Sequence, residues 1–415
     1  MRPTSCPRHR RRSSRRWWCA PALAASAAAG LVTAGCGARA AAAAAGVPAA
    51  ALASGAGQRA GGPGPGGGVP DVQPDAPDGG APVARRPLRR ARVGPRFAAP
   101  DLRESSGLAA SARAPGLLWT IGDGGAGPVL FAVAADGGGV LARVRVAGAA
   151  NVDWEALALG PCGAPNAAGG RAACLYVGDT GDNAAGGGGR GAGRAEVALY
   201  RVPEPLGGAA GPLPGRRRRV ALPFPAATAP AEVARVRYAD GPRDVEALAV
   251  LPDGGAWLVT KHPLARPDGT ARPALVYRVG PEAWGAARAG RVAVARLVDS
   301  LPVVPDATLT HRVTDAAFDP ARRLLAVRTY DAVYLVPLAA PAGGAGWRVD
   351  RARRATACDL GALREPQGEG VAFAAAPPAA APPAAAGPDA RLVLSSEGNL
   401  LGPGGLAEAA CPAPR

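Results

Sequence analysis

The residues of this chain best suited to chemistry are acidic, and they recur. Glu155 stands in "NVDWEALALG", Glu246 in "RDVEALAVLP", Asp315 in "VTDAAFDP" and Glu369 in "QGEGVAFAA"; the aligned position of "RESSGLAAS" is Ser106. After each comes an apolar run that ends in polar residues. These are Asp123 in "LLWTIGDGG", Asp179, Asp182 and Asn183 in "CLYVGDTGDN", Lys261 in "AWLVTKH", Arg328 in "LLAVRTYD" and Glu397 in "RLVLSSEGN". Asp153 precedes Glu155 by two positions. Carboxylates of this kind supply hard oxygen ligands, so calcium is the candidate metal, with Glu155, Asp179, Glu246, Asp315 and Glu369 as candidate ligands. Lys261 and Arg328 could instead complement an anion such as phosphate. The competing reading is structural: Asp and Asn close turns, and buried acids pair with arginine or backbone amides.

Composition singles out some of the same positions. The chain is rich in Ala, Gly, Pro and Arg, as a G- and C-rich coding sequence dictates. Lys261 is its single lysine, and asparagine occurs only at 151, 166, 183 and 399. Where the bias is resisted, a particular side chain is expected to matter.

Several chemistries are disfavoured. "DTG" at 179–181 is the aspartic-protease tripeptide, but such enzymes pair two copies, and here one stands alone with Asp182 after it. The acids do not follow calcium-loop spacing of the EF-hand type. No GxSxG is present, and beyond the N-terminal segment His262 and His311 are the available imidazole bases. No Cys/His spacing suggests zinc. The net charge of +16 comes largely from arginines before residue 97, and the basic runs lack interleaved aromatics, so no nucleic-acid partner is expected.

The elements that must position these residues follow from the same recurrence. Short alternating apolar runs separated by Gly, Pro and Asp are strands. Third and fourth runs follow in places, as in "VLFAVAADG" and "LARVRVAG", or "ALVYRVG" and "VAVARLVDS". Four strands per unit, repeated, predict an all-β fold, a single β-propeller of four-stranded blades. Five modules are visible, with five or six blades. The aligned polar positions are 49, 91, 69 and 54 residues apart, so loop insertions separate the modules unevenly. Rotation about one axis would bring the acids to one funnel.

The pattern "ESSGLA", "LWxxxDxG", "DWEALA", "YVGDxGDN" and "YRVPEP", with later "DVEALAV…TK", "VTDAAFDP…LAVRTY" and "GEGVAF…SEG", resembles a family of exported actinobacterial β-propellers of poorly defined function. It covers about 300 residues. Gly122-Asp123-Gly124-Gly125 departs from the family's Asn-Asp-Ser-Gly. The "EALA" strands are more distantly similar to phytase-like and esterase-like propellers. The phytase-like ones hold calcium among funnel carboxylates, and this resemblance implies no catalytic residue here.

The N-terminus reads as an export signal. Arginines through Arg16 precede an apolar stretch ending "LVTAGC". Small residues before Cys36 resemble a lipobox, with Thr33 in place of the usual leucine, so residues 1–36 are expected to be a lipoprotein signal lipidated at Cys36. Ordinary cleavage after "ARA" and secretion is the alternative, and "SRRWW" leaves general versus twin-arginine export open. Residues 37–96 read as a disordered Ala/Gly/Pro linker and 97–415 as the propeller. Export puts Cys162, Cys174, Cys358 and Cys411 in an oxidising compartment. Cys162 and Cys174 flank a short loop between two strand-like runs and are expected to pair, leaving Cys358 with Cys411. The function expected is a cell-surface binding or scaffold propeller, anchored in the membrane by its lipid and acting as a monomer. Its partner would be a small ligand or an envelope component. The alternative is a calcium-dependent phosphoric-ester hydrolase.

Overall fold

The computed structural model describes residues 83–97, 99–163, 172–185, 193–207, 224–262, 273–303, 309–340, 346–374, 387–398 and 403–414. The N-terminal expectations, Cys36 among them, lie outside these residues.

Two short strands come first, β1 (Arg85–Pro87) and β2 (Arg90–Arg96). Blade one is the meander β3 (Ser105–Ala110), β4 (Leu117–Gly122), β5 (Val129–Ala134) and β6 (Val140–Arg145). Blade two is β7 (Trp154–Pro161), β8 (Ala173–Asp179), β9 (Val197–Pro203) and β10 (Glu232–Tyr238). Blade three is β11 (Val245–Val250), β12 (Ala256–Thr260), β13 (Leu275–Val279) and β14 (Ala293–Ser300), with the short helix α1 (Ala283–Arg288) before its last strand. Blade four is β15 (Val313–Asp319), β16 (Leu324–Thr329), β17 (Ala332–Ala339) and β19 (Thr356–Asp359), and the two-residue β18 (Arg348–Val349) pairs with β17. Blade five is β20 (Gln367–Phe373), β21 (Asp389–Glu397) and β22 (Gly405–Pro412), completed by β2.

The inner strands form a closed ring: β3 packs on β7 and β20, β7 on β11, β11 on β15, and β15 on β20. This is a propeller of five blades, which resolves the choice between five and six. The buried apolar residues divide accordingly into clusters, each lying between successive blades. Burial falls from the axis outward. β11 (VEALAV) is buried along its whole length, covered by a blade on each face, whereas outer strand β10 (EVARVRY) alternates buried and exposed.

The linker expectation needs correction at its end. Residues 85–87 pair in parallel with β19, and residues 90–96 pair antiparallel with β22. These strands are arginine-rich and largely exposed, so apolar patterning gives no sign of them. An outer strand is held by main-chain hydrogen bonds and needs little apolar side chain, and charge on an edge discourages further pairing. The outer edges of blades two and three are joined by parallel pairing of β10 with β14. Both expected disulfides are present, Cys162–Cys174 within blade two and Cys358–Cys411 between the outer strand β19 of blade four and β22 of blade five. Among the described residues no helix is long and apolar enough to cross a membrane.

Candidate functional site

The inner strands begin at polar residues, and these gather at one end of the channel. In blade one, β4 ends at Gly122, and the next residue is Asp123. Asn151 fixes this turn: its side-chain amide donates to the carbonyls of Gly122 (3.2 Å) and Asp123 (2.9 Å), while its carbonyl accepts from the Trp154 amide (3.0 Å). One asparagine thus ties the exit of β4 to the entry of β7. Asp179, at the end of β8, does the same from the other side. Its carboxylate accepts the amides of Val152 (3.3 Å) and Asp153 (3.1 Å) and a bond from Arg194 (2.8 Å).

Between these clamps, carboxylate oxygens of Asp123, Asp153 and Glu155 lie within 4.8 Å of one another, the single such group of possible metal ligands among the described residues. Two glycines make the room. A β-carbon at Gly124 would sit 2.4 Å from Asp153 Oδ1, and one at Gly181 would sit 2.5 Å from Asp153 Oδ2. The Ser106 hydroxyl donates to Glu155 Oε2 at 2.8 Å. Burial, then Asp123, pushes the Asp153 carboxyl up to about 6. Burial together with Glu246 and Asp123 pushes Glu155 well above the ordinary range. Like charges confined in a poorly solvated place favour protonation or a bound cation.

The ring continues through the other blades. Glu246 pairs with Lys261. Burial works against the Lys261 ammonium, but Glu246, Tyr330 and Asp244 more than offset it and hold the lysine charged. In blade five, the Gln367 side-chain amide donates to both Glu369 (2.9 Å) and Glu397 (2.7 Å). Burial, reinforced for Glu369 by Glu397 and for Glu397 by Asp123 and Glu104, lifts each to about 8. His262 stands 3.7 Å from Asp244 and is pushed down to about 4 by burial, Arg312 and Lys261, so it is neutral at neutral pH.

The structure therefore brings together Asp123, Asp153, Glu155, Glu246, Lys261, Glu369 and Glu397. It gives other expected residues different work. Asp315 is wholly buried across the channel, accepting the amides of Leu108 (3.2 Å), Val371 (2.8 Å) and Ala316 (2.8 Å), and so ties three blades together. Arg328, also wholly buried, donates to the carbonyls of Gly370 (2.7 Å) and Ser395 (2.8 Å) and pairs with Glu365. Its hydrogen bonds are spent inside the fold, and among the funnel carboxylates its charge acts on Glu369. Asp182 accepts the amides of Ala185 and Arg194, and Asn183 is exposed. In "GDTGDN", then, Asp179 and Asp182 are turn and clamp residues.

Asp244, Tyr330 and Gln367 belong to the site and were missed in the sequence. A signal existed: Asp244 precedes Glu246 by two positions, as Asp153 precedes Glu155 and Gln367 precedes Glu369. Tyr330 carries no such mark; the turn after β16 puts it near Lys261, Glu246 and Glu369.

No family model matches the chain, and no curated protein matches it. Among solved structures it is similar to the PQQ-bound form of aldose sugar dehydrogenase from Streptomyces coelicolor, with 11% identity over 78% of this chain and 97% of that one at a TM-score of 0.35. It is similar also to the pyranose dehydrogenase PQQ domain from Coprinopsis cinerea (11% identity, 79% and 97% covered, TM-score 0.37) and to a luciferin-regenerating enzyme (12%, 74% and 79%, TM-score 0.32). The propeller assignment rests on the strand topology described above.

Proposed function

We propose that this protein is an exported, surface-tethered binding propeller whose acidic funnel takes a divalent cation, calcium, held by Asp123, Asp153 and Glu155. The observation that carries the reading is the convergence of these carboxylates within 4.8 Å, built by two clamps and two glycines. The donors are all oxygen, as a hard cation requires. Lys261 is committed to Glu246, so the neighbouring acids outweigh the lysine charge at this end of the channel.

A ligand that binds the folded state raises its stability by about 2.7 kcal/mol at a hundredfold excess over Kd. Metal-stripped protein is therefore expected to melt at a higher temperature with calcium than without, and Asp123→Asn and Asp153→Asn are expected to lose that increment. An unchanged midpoint at millimolar calcium sinks the reading.

A second reading, a metal-assisted phosphoric-ester hydrolase, is favoured by the Glu369–Gln367–Glu397 group. There a carboxyl stays protonated at neutral pH beside the charged Lys261, and could serve as proton donor and anion anchor. Calcium-dependent release of p-nitrophenol from bis(p-nitrophenyl) phosphate, abolished in Glu397→Gln, would support it; no release leaves the binding propeller.

The tether is part of the proposal and rests on the "LVTAGC" segment. Cells fed labelled palmitate are expected to label the full chain and not its Cys36→Ser variant. Label retained by the variant would refute lipidation at Cys36.

A further inference from the structure

The two ends of the channel are chemically opposite. The inner strands enter at Ser106, Glu155, Glu246, Asp315 and Glu369 and leave through apolar residues, except that β15 ends at Asp319, which is paired with Arg322 and does not line the cavity. Around those exits lies a cavity of about 590 Å³, walled by all five blades. Every residue lining it is Leu, Ala, Gly, Pro, Val or Phe. Ligand sites commonly measure about 300–1,000 Å³ and are mostly apolar.

Its depth is graded. Leu108 and Leu157, two positions past the polar entries, are almost wholly buried, whereas Leu159, Phe318 and Phe373, three or four positions past them in three different blades, are half-buried at its lip. Water is poorly accommodated against such walls, and partly exposed Leu and Phe converging on one concavity mark a binding surface. The hollow is a property of the sequence, because alanine recurs along the inner strands here where larger side chains would fill the space. One wall is also held in place: Pro161 and Ala173 line the cavity, and the Cys162–Cys174 disulfide ties the strands that carry them. A pre-formed wall lowers the ordering cost of binding.

We infer that this end of the channel is a binding site for a small, uncharged, apolar molecule of the long-chain hydrocarbon or acyl type. Lining without a charged side chain rejects ionic ligands, since a buried charge with no partner is costly. The cavity's size suits one small molecule and leaves no room for a folded partner. The inference does not depend on the calcium reading, because the acidic group lies at the opposite ends of the same strands.

The test is fluorescence titration of the full chain with N-phenyl-1-naphthylamine, an uncharged apolar dye. Saturable enhancement at one dye per chain is expected, with displacement by 1-dodecanol and not by a hydrophilic sugar. Ala110 and Ala317 line the cavity and are half-buried, so larger side chains can be accepted there. Ala110→Phe and Ala317→Phe are each expected to weaken dye binding about tenfold, or about 1.4 kcal/mol. Asp153→Asn is expected to bind the dye like the parent protein, which separates this site from the cation site. Failure of 1-dodecanol to displace the dye overturns the inference. So does unchanged affinity in both filled variants when they melt like the parent. A stable dimer by sedimentation, with dye binding appearing only on dilution, would show that a second copy covers the cavity and would overturn it too.

Discussion

Glu369 and Glu397 share one side-chain amide donor and sit near 8, far above the ordinary glutamate value of 4.5. Facing the pair are Asp123, Glu104 and Glu246 as like charges, Lys261 and Arg328 as opposite ones, and Tyr330. The folded state therefore keeps protons that the unfolded chain has already released. Stability from these groups is fully present below about 4.5 and is lost as pH rises through about 8. His262 works in the opposite sense and at lower pH, since its folded value near 4 makes the protein less stable as pH falls from 6.5. In metal-free buffer the melting temperature is expected to fall between pH 5 and pH 8, and Glu397→Gln to flatten that slope. A parent slope rising over the same interval would contradict the assignment. Gly181 makes a sharper point about single residues. It is the glycine of "DTGD", and it is needed because the Asp153 carboxylate occupies the place of its missing β-carbon.

At the scale of elements, the decisive strand is β2. It precedes blade one in the chain but completes blade five by pairing with β22, so the ring closes with strands from both ends of the described chain. The Cys358–Cys411 bridge reinforces the seam beside it by joining β19 of blade four to β22, the strand that β2 pairs with in blade five. Removing residues 1–82 is expected to leave the melting temperature of the propeller unchanged. Removing residues 1–96 would strip the ladder from β22 and release the Arg85–Asp331 pair, 2.6 Å apart. That truncation is expected to lower the midpoint by several degrees or to give insoluble protein, as an exposed strand edge invites pairing between chains. Equal midpoints for the two truncations would show that β2 contributes nothing to closure.

At the scale of the molecule, the five-fold recurrence was legible because each inner strand faces a similar environment. A short apolar run behind a polar entry is what a strand buried between two blades needs, so "EALA" at 155 and 246 announced both strand and position. The repeated four-stranded unit, the polar strand entries and the Cys162–Cys174 pair followed from local patterns, and Cys358–Cys411 followed by elimination. Three things did not. Burial through main-chain pairing leaves no apolar signature, which hid β1 and β2 inside an arginine-rich stretch that reads as linker. Whether an acid serves the funnel or the fold depends on which amides and guanidinium groups reach it. Asp179, Asp315 and Arg328 looked equivalent to Glu155, Glu246 and Lys261 in the sequence, and only the crossing of neighbouring blades assigned them to holding strands together. The grouping of Asp123 with Asp153 and Glu155 likewise joins two blades, through Asn151, Asp179 and two glycines. Sequence determined the types of residue at the ends of the strands, because periodicity is a local property. Tertiary structure decided which of them meet, because proximity across blades is set by ring closure and by the hydrogen bonds that each buried polar group must find.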